Sequence, residues 1–153
     1  MKKYIIPLIL SIAIGVYLGI TLIKQYKSAE ELIPVFANNT SELYFVREGE
    51  YSSFEQMQEG MIKFTYYIHT VKNDKYYSYI GISTKKENAE KIKGYYDNLG
   101  YSTSIEVIGV SNSDFISVLE EYDKLIESSN EKTIGSICSQ ILSEYEELVL
   151  NEN

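Results

Sequence analysis

The chain has 153 residues, with 14 basic against 22 acidic side chains and a formal net charge of −8. That length holds one folded domain plus an appendage, and the acidic balance argues against a nucleic-acid partner, whose phosphates demand clustered Lys and Arg. The single cysteine, Cys138, excludes an internal disulfide, and together with the lone histidine, His69, it is too sparse for a metal site.

Residues 4–23 form a run of 20 without a charge, bounded by Lys3 and Lys24. As a helix such a run spans roughly 30 Å, the thickness of a bilayer's hydrocarbon core. It is longer than the apolar core of a cleaved signal peptide, and its small residues Ser11, Ala13 and Gly15 lie inside it. Residues 1–27 are therefore expected to be a single-pass anchor, with residues 28–42 a linker. Lys2, Lys3 and the terminal amine oppose Lys24 and Lys27, a near-tie that leans toward an inside N-terminus and a body outside the cytoplasmic membrane. All the acidic residues follow residue 28, so the body carries 10 basic against 22 acidic residues, a net −12.

From residue 43 the pattern changes. Residues 43–46 have the aromatic and apolar character of a strand, ended by Gly49. Ser52 or Ser53 with Glu55 or Gln56 makes a capping box for a helix whose inner face is Phe54, Met57, Met61 and Ile62. Residues 64–74 are expected to form a second strand closing at Asn73-Asp74, and residues 75–83 a third. Thr84 with Glu87 opens a second helix, with Ala89, Ile92, Tyr95, Tyr96 and Leu99 inward and Gly100 at its C′ position. Residues 102–110 make a fourth strand, in which Ile105 and Val107 alternate with Ser104 and Glu106.

The order is β-α-β-β-α-β, and a slide of 32 residues puts Gly49 on Gly81, Ser52 on Thr84, Glu55 on Glu87 and Phe45 on Tyr77. It predicts an α+β, ferredoxin-like fold, a four-stranded antiparallel sheet with both helices on one face. Alternation turns Val46, Ile68, Ile80, Ile105 and Val107 toward the helices and Phe45, Arg47, Tyr67, His69, Tyr77 and Tyr79 outward. Five rings on an open face suit sugars, which offer C–H faces to an aromatic body and hydroxyls to a polar tip. Tyr44, Tyr66 and Tyr76 are the tyrosines expected in the core. Glu48 falls on the supposedly buried side.

"YFVREGEYSSFEQM" resembles the opening motif of the sporulation-related repeat (SPOR) domain, and "YSYIGISTKKENAEKIKGYYDNLGY" resembles its second half. The likeness covers residues 43–110. It implies a peptidoglycan-binding module for glycan strands stripped of stem peptides, serving cell division or sporulation, which binds on the sheet face away from the helices. The resemblance places Arg47 where the family has Gln, Glu50 where it has a small polar residue, and Lys75 and Tyr77 in the groove. With the outward rings, the expected glycan-binding set is Phe45, Arg47, Glu50, Tyr67, Lys75, Tyr77 and Tyr79.

Residues 111–153 lie beyond the resemblance. Phe115, Val118, Leu119, Tyr122, Leu125 and Ile126 form one helical stripe, opened by a Ser111/Asp114 box. Ile134, Ile137, Cys138, Ile141, Leu142, Tyr145 and Leu148 form another. A helical hairpin is expected, with Cys138 in its core. From residue 111 there are 10 acidic residues against 2 lysines, a surface open to a protein partner. The hairpin has the further options of packing across a sheet edge or on the open face. No phosphate loop, nucleophile–base pair, metal cluster or cofactor motif is present, so a non-catalytic protein is expected. The readings are then a membrane-anchored glycan binder of the cell envelope or a protein-interaction adaptor on a SPOR-like fold that has lost its glycan site.

Overall fold

The structure, a computed structural model, describes residues 40–151. The expected anchor and nearly all of the linker lie outside the described residues, among which no helix is long and apolar enough to cross a membrane. The elements run β1 (Ser41–Tyr51), α1 (Phe54–Met61), β2 (Ile68–Lys72), β3 (Lys75–Ser83), α2 (Lys86–Asn98), β4 (Ser104–Val110), α3 (Ser113–Ser128), α4 (Glu131–Tyr145) and a π-helical turn, Glu146–Leu150. The strands form one four-stranded sheet in the order β2-β3-β1-β4, every neighbouring pair antiparallel. The two strands of each β-α-β half thus flank a strand of the other half.

Local chemistry sets the boundaries. Asn73 and Asp74, at φ 52° and 60°, make a two-residue turn of the primed type, whose twist suits a tight hairpin. α2 ends as expected at Gly100, φ 92°, whose N–H donates to the carbonyl of Asp97 while that of Tyr101 donates to Tyr96. Ser53 caps α1, accepting from the N–H of Gln56. The 32-residue spacing puts the second cap at Lys85, which has no capping side chain. Thr84, expected in a capping box, instead donates its hydroxyl to Asp123 of α3. Asn112, not Ser111, caps α3, because its amide oxygen reaches the N–H of Phe115.

α1 and α2 lie on one face of the sheet. A methyl group on Gly81 would come 2.8 Å from Ile92 of α2, and Gly81 pairs with Val46. Phe45 therefore points to the opposite face. β2 pairs only with Lys75 to Tyr79 of β3, which leaves the rest of β3 an open edge. α4 packs beside that edge, a common way of blocking unwanted strand pairing. Its Cys138 reaches the Gly81 side, while its Tyr145 stands edge-to-face on Phe45 at 5.5 Å. Phe115 of α3 meets Tyr145 at 5.1 Å. The hairpin accordingly covers half of the face expected to be open, and Ser78 to Ser83 are buried.

Several expectations are corrected by this packing. Phe45 and Tyr79, placed outward by alternation, are both 0 % exposed, and their rings pack edge-to-face at 5.5 Å. β2 begins at Ile68, not residue 64, and the Asn73-Asp74 turn pairs Lys72 with Lys75. That register puts Ile68 with Tyr79 on the hairpin face, while His69 faces α1, its ring 5.6 Å from Phe54. A one-residue difference in register exchanges every side chain between faces. Val107, on edge strand β4, is 51 % exposed rather than buried beneath helices, and Ile62, Leu99 and Leu125 are also exposed. Tyr44, Tyr66 and Tyr76 are half-buried and pack against the core, while among the described residues Tyr79, Tyr96 and Tyr145 are the tyrosines fully within it. Glu48 is accommodated where the β1–β3 register shifts, accepting from Tyr51 at 2.6 Å and Ser78 at 3.1 Å.

Candidate functional site

The half of the face left open by the hairpin carries a strip of polar side chains from all four strands. Register places Arg47 opposite both Tyr79 and Ser104, and Glu50 opposite Tyr77. Arg47 Nε donates to Ser104 Oγ at 3.2 Å, and its guanidinium carbon lies 5.4 Å from the centre of the Tyr77 ring, within cation–π range. Glu106 of β4 is the hub. Its carboxylate accepts from the Tyr79 hydroxyl at 2.8 Å and from Lys72 Nζ at 3.1 Å, with Arg47 Nη1 at 3.8 Å. Lys72 and Glu106 belong to the two edge strands, so their ion pair spans the sheet. Lys75 pairs with Glu50 at the end of the strip.

Burial of Glu106 opposes its ionisation, but the hydrogen bonds from Tyr79 and Lys72 outweigh it and hold its carboxyl below the usual range. The hydrogen bond from Lys75 lowers the carboxyl of Glu50. Burial, then the bond to Glu106, pushes the phenol of Tyr79 up. The strip thus presents fixed cations, fixed carboxylates and one ring. Hydroxyl-rich ligands need that mixture, because each hydroxyl both donates and accepts.

Of the expected set, Arg47, Glu50, Lys75 and Tyr77 share this strip. Phe45 and Tyr79 are buried beside it beneath the hairpin, with only the Tyr79 hydroxyl reaching its chemistry through Glu106. Tyr67 precedes β2 and is half-buried. Glu106, Ser104 and Lys72 were missing from the set, although alternation along β4 had already placed Ser104 and Glu106 opposite Ile105. Thr70, paired with Tyr77, buries a hydroxyl oxygen that has no partner. Among the described residues no three His, Cys, Asp or Glu side chains gather as a metal site requires. Burial pushes the Cys138 thiol up to about 12, so it is no nucleophile at neutral pH.

No family model matches the chain, and neither a curated protein nor a solved structure matches it. The likeness to the SPOR domain therefore rests on the sequence motifs alone.

Proposed function

We propose that this chain is a non-catalytic, membrane-anchored binding module of the bacterial cell envelope that grips peptidoglycan glycan strands on the open half of its sheet. The observation that carries the reading is the Arg47–Tyr77–Glu106 strip. It sets donors and acceptors around a half-buried tyrosine ring, on the face where SPOR domains bind. The strand order suits the ferredoxin-like, split-βαβ fold of that family. The uncharged run at residues 4–23 supports a single-pass anchor with the domain outside the cytoplasmic membrane, in the service of division or sporulation. Glycoside cleavage needs one carboxyl with a raised pKa as general acid. Glu50 and Glu106 are both lowered, which favours binding without cleavage.

The test is co-sedimentation of the full chain, in mild detergent, with purified sacculi. Tyr77→Ala and Arg47→Ala are each expected to weaken binding by about tenfold, the loss that follows removal of one stacked or charge-assisted contact of about 1.4 kcal/mol. Binding unchanged by both substitutions sinks the reading.

One observation favours a second reading, the protein-interaction adaptor. The hairpin withdraws Phe45 and Tyr79 from the sheet face, and ion pairs occupy what remains. An adaptor would show no sacculus binding and would engage a protein through the acidic outer surface of α3 and α4.

A further inference from the structure

A second concavity opens behind the sheet, between residues 63–66, the C-terminal half of α2 and the N-terminal half of α4, with a volume of about 390 Å³. Its wall is aromatic: Phe64 lies 4.7 Å from Tyr101 and 5.7 Å from Tyr96, and Tyr95 stands 4.8 Å from Tyr96. Gly135, inside α4, weakens a helix interior. A methyl group there would come 3.0 Å from the Tyr95 hydroxyl oxygen, so glycine gives that phenol its place in the wall. The hydroxyls of Tyr95 and Tyr101 have no hydrogen-bond partner among the described residues.

The charges are the second, independent observation. Nearly every basic side chain of the described residues is held by a carboxylate or, for Lys91, by the carbonyls ending α3. The two exceptions are Lys63 and Lys132, and both line this cleft. Lys132 lies in the first turn of α4, where the helix dipole adds to its field. In a body of net charge −12, two unpaired cations at one aromatic cleft mark an anion site.

We propose that this cleft binds a carboxylate-bearing sugar. The ring lies on the tyrosine faces, its hydroxyls bond Tyr95, Tyr101 and Ser136, and its carboxylate is drawn to Lys63 and Lys132. A purely apolar anchor would leave the tyrosine hydroxyls dehydrated and unpaired, which disfavours an apolar peptide side chain. The inference stands whether or not the sheet strip binds glycan, since it uses different residues.

The test titrates the full chain with glucuronic acid and with glucose, which lacks the carboxylate, followed by NMR. Saturable binding of the acid is expected, with shifts at residues 63–66 and in α4. Glucose should bind at least about fivefold more weakly, and Lys63→Gln combined with Lys132→Gln should weaken the acid by about fivefold to tenfold, the range two exposed charge pairs supply. Lys124→Gln, which removes an exposed cation outside both the cleft and the sheet strip, should change nothing, and the position of the shifts separates this site from the strip. Absence of saturation, equal binding of the two sugars, or indifference to the lysine substitutions overturns the proposal. Tighter binding of acetyl-Glu-Phe-Glu-amide than of glucuronic acid overturns it in favour of a protein partner.

Discussion

Asp123 has no exposed surface, and the groups around it donate. Its carboxylate accepts from the hydroxyl of Ser83, from the N–H and hydroxyl of Thr84 at 2.9 and 2.6 Å, and from the Asn88 amide at 2.9 Å. It ties the hairpin to the β3–α2 junction. Asp123→Ala removes that acceptor from Thr84 and leaves Ser83 and Asn88 only the carbonyls of Lys85 and residue 123, so urea unfolding should show a loss of about 1–3 kcal/mol. Glu127→Ala, which removes only the exposed partner of Lys85, should cost less than about 1 kcal/mol. Thr70 is the opposite case. Its buried hydroxyl has no partner, so the isosteric Thr70→Val should stabilise by about 1 kcal/mol in the same assay. Asp97 supplies a pH dependence. Hydrogen bonds from Lys93 and then Thr103 hold its carboxyl at about 2. A lowered carboxyl pKa gives stability that is complete above the ordinary value of about 3.9 and lost as the pH falls through the folded value. Thermal unfolding between pH 4 and pH 2 should therefore fall less steeply in Asp97→Asn than in the parent, measured from each protein's value at pH 5.

At the scale of elements, short-range chemistry decides the ends. Asp74 sits at φ 60° in the hairpin turn, where glycine is the preferred residue. Asp74→Gly should raise stability by about 0.5 kcal/mol in urea unfolding. Asn112 caps α3 and also donates to the carbonyl of Leu148 at 2.8 Å, joining the start of the hairpin to its end. Asn112→Ala should cost about 1–2 kcal/mol by the same measurement. The elements legible in the sequence were those with strong periodicity or turn chemistry, namely the two repeated halves, Gly100 and the α4 stripe. The faces of β2 were not legible, because its register follows from a turn whose pairing alternation alone does not reveal. The Thr84 box failed for a related reason: a carboxylate 39 residues away competed for its hydroxyl.

At the scale of the whole molecule, the hairpin changes what the sheet can do. Aromatic residues in strands have two destinations, ligand face and core, and composition does not separate them. Phe45 and Tyr79 went to the core because Tyr145 and Phe115, distant from them in sequence, came to cover them; Arg47 and Tyr77 stayed at the surface beyond the hairpin's reach. Glu106 was visible in the alternation of β4, yet its role as hub depends on Lys72 arriving from the opposite edge strand. The measurement that bears most directly on this account is an NMR titration of the full chain, in mild detergent, with soluble glycan strands released from sacculi and stripped of stem peptides. Saturable shifts are expected at Arg47, Tyr77, Ser104 and Glu106, with the core residue Leu119 of α3 undisturbed. Shifts confined to the outer surface of the hairpin, or none at all from a folded chain, would contradict it.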